Sequence, residues 1–377
     1  RMKILSVFGT RPEAIKMAPL VLELQKREGI QSLVAVTAQH REMLDQVLEL
    51  FGITPDYDLN LMRHGQTPCS IAAAILNNLE EILQKEQPDL LLVHGDTTTT
   101  MAAALTAFYN KIPCGHIEAG LRTDDKFSPF PEEVNRRATG VFADYHFAPT
   151  EWARQNLLNE GVKPDKIVVT GNTVIDALLQ VVKKDCDLAD YGLGDVKWQK
   201  RVILLTCHRR ESWGRQMEEI FAAVAELVRL YPDTEVVFPM HKNPIVREAA
   251  VKFLANNPRI HLCEPLSYLP FSHVMNKSYL VMTDSGGMQE EAPALGKPVL
   301  VLREVTERPE AIKAGTARLA GNKYDSVLAA GRLLLEDEKI YRQMAHTANP
   351  YGSGKASKII ADTINSRQNT TNQDKII

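Results

Sequence analysis

Six places in this 377-residue chain hold residues able to move a proton or grip an anion, and each follows a short apolar run. They are Gly9-Thr10-Arg11, His94-Gly95-Asp96, His116-Ile117-Glu118, Cys207-His208-Arg209-Arg210, His241 and Asp284-Ser285-Gly286. Carboxylates and a histidine gathered at strand ends suit general acid–base chemistry. Burying such groups costs energy that a purely structural sheet has no means of recovering. The last of the six is the most informative. Residues 279–283 read as a strand, Asp284-Ser285-Gly286-Gly287 as a turn, and Met288, Ala292 and Leu295 as one face of a following helix. Glycines let backbone N–H groups approach an anion, and first-turn amides with the helix dipole favour negative charge. An ordinary strand–helix turn that requires glycine fits the same residues. Glu290 and Glu291, one turn further on, add something that turn does not need, because a carboxylate beyond a phosphate cradle suits the two hydroxyls of a ribose. The stretch reads as a holder of a nucleoside diphosphate.

The remaining candidates have alternatives. Arg11 and Lys16 either pair with surface acids or neutralise a diphosphate leaving group. Asp96 precedes a Thr-rich helix, where a capping role also fits. Glu118 has no such excuse, since no cap is needed there. Glu132 and Glu133, in PFPEEVNRR, serve either as partners of a helix dipole or, for Glu132, in catalysis. His208 precedes Arg209, Arg210 and Glu211, and His40 and His241 are weaker cases of the same type. No G-x-G-x-x-G follows the first strand, so a dinucleotide cofactor is unsupported. No nucleophile elbow and no metal-ligand spacing appear, so neither a cofactor nor a metal is expected.

Positioning these residues takes two α/β domains, because the chain is too long for one core. Strands read at 3–8, 32–37, 90–94, 113–118, 145–148 and 167–170, with helices between them. Pro12 suits a first helical position. Gly171-Asn172 through the charged, turn-rich 183–200 reads as the domain connection. Strands resume at 202–206, 235–238, 259–262, 279–283 and 299–302. The alternation predicts parallel, doubly wound sheets, with ligands beyond the carboxyl ends of the strands and between two facing domains. The expected domains are 1–171 and 172–355, with a C-terminal helix over about 356–377 packing back onto the first and a polar, fraying end. Composition is ordinary for a globular protein, at 44% hydrophobic and 24% charged residues. A net charge of −3 lacks the basic footprint of a nucleic-acid binder. Five Cys without C-x-x-C spacing, three of them in apolar runs, fit a reducing cytoplasm. No membrane-length apolar run and no signal peptide are seen.

Taken together, FGTRPEAIKMAPL, VHGDTTT, HIEAGLRT, PFPEEVNRR, VTGNTVIDAL, LLTCHRRE, TDSGGMQEEAPALGKPVLVLRE and TERPEA resemble the non-hydrolysing UDP-N-acetylglucosamine 2-epimerases of bacteria, over residues 2–358. The resemblance implies a GT-B fold, with two Rossmann-like domains, a cleft between them, and a homodimer. It implies interconversion of UDP-GlcNAc and UDP-ManNAc through bound UDP and 2-acetamidoglucal, supplying ManNAc for surface polysaccharide. By motif, Asp96, Glu118, Glu132 and His208 form the catalytic group. Arg11, Lys16, Phe271, Ser285, Gly286, Gly287, Glu291 and Arg308 hold UDP, and Arg136 lies near the sugar. Gln39, His40, Gln66, Arg209, Arg210 and His241 match in part a second, activating UDP-GlcNAc site of some relatives, which carry Arg where this chain has Gly65. A hydrolysing relative and a UDP-sugar transferase or sensor are the competing classes.

Overall fold

The computed structural model describes residues 1–38, 41–61 and 63–374, with side chains as far as Arg367. Two compact units are present, one of Arg1–Ala177 with Tyr351–Ile377 and one of Leu178–Pro350. In the first, β1 (Met2–Phe8), β2 (Ile30–Val36), β3 (Tyr57–Asp58), β4 (Leu90–His94), β5 (Cys114–Ile117), β6 (Tyr145–Ala148) and β7 (Ile167–Val169) form one parallel sheet. Its strand order is β3-β2-β1-β4-β5-β6-β7. In the second, β8 (Arg201–Thr206), β9 (Thr234–Pro239), β10 (Ile260–Cys263), β11 (Leu280–Thr283), β12 (Val299–Val301) and β13 (Ala317–Leu319) form another parallel sheet. Its order is β10-β9-β8-β11-β12-β13. Helices cover parallel sheets on both faces, so central strands carry almost unbroken apolar runs. LLLVH of β4 is buried throughout, and so is VILLT of β8.

Each sheet reverses its strand order once, between β1 and β4 and between β8 and β11. Open α/β sheets bind ligands beyond the carboxyl ends of strands at such points. The loop after β1 shows how tightly one of them is built. A Cβ on Gly9 would lie 1.8 Å from Thr37 Oγ1 at the end of β2, so only glycine fits. The Glu13 carboxylate then accepts from Gly9 N–H (3.1 Å), Thr10 N–H (2.7 Å) and the Thr10 hydroxyl (2.7 Å). Its other oxygen accepts from the hydroxyls of Thr97 (2.7 Å) and Thr100 (3.3 Å), beyond β4. One buried carboxylate thus fastens two neighbouring strand ends together. The helix Arg11–Gln25 starts at Arg11, with Pro12 second rather than first.

The structure departs from the sequence reading in several places. The two-residue β3 carries too little pattern to detect. The edge strand β13 is exposed over its last two residues and lacks the apolar run expected of a strand. The segment read as the domain connection contains the helix Thr173–Val181, and the division between units falls inside it. Its first turn is held by the returning chain. Asn172 N–H donates to the Tyr351 carbonyl at 2.7 Å, and the buried Asp176 carboxylate accepts from Ala356 N–H (3.3 Å) and Ser357 N–H (2.8 Å). The helix opened there spans Ala356–Asp374, with no Gly or Pro to interrupt it. Arg27 ion-pairs with Asp362 of that helix at 2.8 Å. The helix after β11 spans only Gly286–Glu291 before tightening into a 3-10 turn, Ala292–Leu295, where Pro293 has no N–H to continue the α ladder. Among the described residues no helix is long and apolar enough to cross a membrane.

Asp176→Ala leaves two buried N–H groups without acceptors. We expect it to cost roughly 1–3 kcal/mol of stability in urea unfolding. Asp362→Ala, which breaks an exposed pair, is expected to cost less than about 1 kcal/mol.

Candidate active site

Three strand-end loops of the first unit converge on Glu118. It stands directly after β5 with φ +63°, a left-handed conformation that is costly for a residue with a side chain. Its contacts hold it there. Lys16 Nζ, from the helix after β1, lies 2.5 Å from Glu118 Oε2, and Asn172 Nδ2 donates to the same oxygen at 2.9 Å. His94 Nε2, at the end of β4, is 3.7 Å from it. Burial pushes the Glu118 carboxyl upward, but Lys16 and His94 outweigh it and hold the group well below the usual carboxylate range.

Asp96 is not a cap. The helix Thr98–Tyr109 is capped by Thr97, whose hydroxyl accepts from Thr100 N–H at 3.2 Å. The Asp96 side chain, 31% exposed, faces Arg136 Nη1 at 3.3 Å. Burial and the Glu118 charge push its carboxyl up to about 6, against the pull of Arg136, His94 and Lys16. Two neighbouring carboxyls therefore have their proton affinities driven apart, the arrangement that separates an acid from a base.

The helix Glu132–Phe142 supplies Arg136 and is docked by Asn135 Nδ2, which donates to the Asp96 carbonyl at 3.1 Å. Its two leading acids behave differently. Glu133 is buried and accepts from Thr123 N–H and the Thr123 hydroxyl, both 2.8 Å, from Arg136 at 3.1 Å and from Arg137 at 3.2 Å. Glu133 therefore carries the structural role, and half-buried Glu132 opens the helix beside it. Arg11 is half-buried at the first helical position.

In the second unit the organising group is Asp284, at the end of β11 and 0% exposed. Its Oδ2 accepts from His208 N–H and Arg209 N–H, both 2.9 Å, and from the Ser212 hydroxyl at 3.3 Å. Its Oδ1 lies 3.3 Å from His208 Nδ1. Asp284 thus fixes the loop after β8, and the ring of His208 beside it stacks on His241 at 6.2 Å. Ser285 N–H is held by the Thr283 hydroxyl at 2.9 Å. Gly286 is buried and Gly287 exposed. A Cβ on Gly286 would meet Glu307 Oε1 at 2.4 Å, and Glu307 also accepts from Arg209 at 3.1 Å. Of the acid pair, Glu290 is buried and faces Arg308 Nε at 3.4 Å, whereas Glu291 is half-buried. Arg308 N–H donates to the Thr306 hydroxyl (3.0 Å), which itself donates to Gln289 (2.6 Å), so the TERPEA segment is tied to the glycine-turn helix. Phe271 is half-buried on the helix Tyr268–Lys277.

The residues matched to a second sugar-nucleotide site fall in both units. Gln66 accepts from Arg63 N–H at 3.1 Å in the first unit. Arg210 lies over Trp213, and His241 Nδ1 accepts from Asn243 N–H at 3.2 Å, in the second. Gln39 and His40 lie outside the described residues. Among the described residues no group of three or more His, Cys, Asp or Glu side chains is arranged to hold a metal ion.

Sequence reasoning missed Glu13, Asn172 and the role of Asp284. Glu13 had a readable signal, because Thr10-x-x-Glu13 has capping-box spacing. Asp284 read as a turn former, and only the fold brings it to the loop after β8.

Two parallel α/β units, with acids and cations at one switch point and a glycine turn, histidine and arginine at the other, define a GT-B-like sugar-nucleotide enzyme. A family model described as UDP-N-acetylglucosamine 2-epimerase matches residues 22–365. The chain is 53% identical to the UDP-N-acetylglucosamine 2-epimerase of Escherichia coli (strain K12) over 371 residues, 96% of this chain and 98% of that one. A crystal structure from Listeria monocytogenes overlays with a TM-score of 0.92 at 51% identity, covering 98% of this chain and 97% of that one. The UDP-GlcNAc 2-epimerase of Neisseria meningitidis bound to UDP-GlcNAc overlays with a TM-score of 0.84 at 51% identity, covering 97% and 100%. The chain belongs to the UDP-N-acetylglucosamine 2-epimerase family.

Opposite linkage signs follow for the two carboxyls. Asp96 binds its proton more tightly when folded, so its ionisation costs stability as pH climbs from about 4 to about 6. Glu118 binds its proton less tightly when folded, so its contribution is present above about 4.5 and is lost as pH falls through the depressed value. Thermal melts between pH 4 and 8 are expected to show Asp96→Asn gaining stability relative to wild type as pH rises, and Glu118→Gln losing it. The same sign for both contradicts the assignment.

Proposed function

We propose that this protein interconverts UDP-GlcNAc and UDP-ManNAc by inverting C2 of the sugar without releasing it to water. The observation that carries this reading is the cluster at the strand ends of the first unit, where Lys16 and Asn172 hold the Glu118 carboxylate and Arg136 faces Asp96, an arrangement that drives the two proton affinities in opposite directions. An epimerisation across two faces needs one group that starts protonated and one that starts charged. The family likeness supports the choice of sugar nucleotide.

On this reading a carboxylate takes the C2 proton while the C1–O bond to UDP breaks, leaving 2-acetamidoglucal and UDP. UDP then adds back and a proton reaches the opposite face of C2. No carbonyl is attached to C2, so its hydrogen is only weakly acidic. The reaction therefore depends on making UDP a good leaving group. Arg11 and Lys16 supply positive charge, and Ser285, Gly286 and Gly287 supply the glycine turn. Glu291 takes the ribose hydroxyls, Phe271 and Arg308 complete the UDP grip, and Arg136 serves the sugar. Glu132 and His208 join Asp96 and Glu118 as the proton-handling group, with the backbone at His208 held by Asp284. The reaction draws on no cofactor or metal. The family likeness also supports a cytoplasmic homodimer that supplies ManNAc units to surface polysaccharide.

The test is incubation with UDP-GlcNAc in D2O, followed by proton NMR. UDP-ManNAc carrying deuterium at C2 is the expected product. Free ManNAc would reveal a hydrolysing enzyme, and unlabelled, unchanged substrate would exclude epimerisation. Asp96→Asn, Glu118→Gln and His208→Ala are each expected to lower turnover about a hundredfold or more. Calorimetry is expected to find UDP binding retained in the first two.

A further inference from the structure

In the second unit a carboxylate already stands against the glycine turn. Glu307 Oε1 lies 2.4 Å from the point a Cβ on Gly286 would take, and Arg308 Cζ lies 3.6 Å from the same point. The carboxylate also bridges two further arginines. Its Oε1 accepts from Arg209 Nη2 at 3.1 Å, in the loop after β8, and its Oε2 accepts from Arg303 Nη1, just beyond β12. Burial pushes the Glu307 carboxyl upward, but its own backbone N–H, Arg303 and Arg209 outweigh it and hold the group below the usual carboxylate range. Three guanidinium groups therefore gather at the bare face of Gly286, with one anion among them. The Glu307 side chain is 37% exposed, so it can turn to solvent without crossing the core. The backbone beside it is tied down, because Arg308 N–H donates to the Thr306 hydroxyl and that hydroxyl donates to Gln289.

A simple bridge between the loops after β8 and β12 would use the same two ion pairs. Pairs this exposed contribute little to stability, and a bridge has no need to stand against Gly286, the residue assigned to the diphosphate. We propose that Glu307 is an internal stand-in for the diphosphate, which keeps Arg209, Arg303 and Arg308 gathered at Gly286 and turns outward when the diphosphate arrives; the proposal rests on the reading of Ser285, Gly286 and Gly287 as the diphosphate holder. The exchange breaks no covalent bond and moves no proton. One anion replaces another among the same guanidinium groups, so like charges are never left facing each other, an arrangement that is costly. The displaced carboxylate competes with its replacement. It therefore lowers the affinity for UDP and eases the departure of the sugar nucleotide. A loop bridge and an exchanging anion predict opposite signs. Loss of a bridge loosens the arginines and weakens UDP binding, whereas loss of a competitor strengthens it.

The test is calorimetric titration of wild type, Glu307→Gln and Glu307→Ala with UDP. Both variants are expected to bind UDP about fivefold or more tightly than wild type, since the competing charge is gone. Uridine, which carries no phosphate, is expected to bind all three alike in NMR titrations. Crystals of the wild type with UDP need no variant. There a phosphate oxygen is expected against Gly286, with the Glu307 carboxylate turned away from Arg209. Weaker or unchanged UDP binding in the variants, uridine binding tightened as much as UDP binding, or a Glu307 carboxylate still against Gly286 beside bound UDP would each overturn the exchange. A wild type that does not bind UDP, or binds it away from Ser285, Gly286 and Gly287, would overturn the reading of the glycine turn and the exchange with it. A wild type that binds UDP there, with variants that bind it no more tightly, would overturn the exchange alone.

Discussion

An ammonium and a carboxylate 2.5 Å apart, 20% and 10% exposed, sit at the switch point of the first sheet. Removing both charges from water is expensive, and the attraction between them recovers the cost only when the geometry is good. Much of the surrounding structure supplies that geometry. Gly9 lets the first helix begin hard against β2, and Glu13 fixes its first turn to the end of β4, so Lys16 arrives at the right height. The left-handed backbone at Glu118 aims its carboxylate back at Lys16, and Asn172 brings a neutral donor from far along the chain. The strain at Glu118 is thus offset by contacts from three separate segments, each of them polar.

The second unit solves a similar problem with a different partner. Asp284 is fully buried at the end of a central strand, as Glu118 nearly is, but it faces two backbone N–H groups, a hydroxyl and an imidazole rather than an ammonium. Its effect is to stitch the ends of β8 and β11 together while presenting His208, whose side chain is 46% exposed. In both units a buried carboxylate fixes the loops, and the groups able to meet a ligand are the ones it orients. This accounts for the clustering of charge at strand ends in a chain whose strands are otherwise apolar.

The strands were legible wherever burial on both faces left an unbroken apolar run, as at residues 90–94 and 202–206. They were illegible where the sheet ends, at β3 and β13, because an edge strand is half solvated and short. The candidate residues were legible as chemistry, since Asp96, Glu118, His208 and Ser285 each follow such a run. Their partners were not. Glu13 reaches Thr97 and Thr100 across more than eighty residues of sequence. Asn172 looked like linker because its partners, Glu118 and Tyr351, come together only in the folded chain. Likewise, no local pattern distinguishes Glu132 from Glu133. The difference lies in Thr123, Arg136 and Arg137, which turn one of the two inward.

The chain leaves its first unit within the helix Thr173–Val181 and re-enters it at Tyr351. A ribosome making this protein therefore completes every strand of both sheets before the acceptors at Tyr351 and Asp176 meet their partners. Until then Asn172, which touches Glu118, lacks the backbone tether that the finished protein gives it. The growing polypeptide carries an open seam in its first half, and the stretch that seals it is translated only after every strand of both sheets.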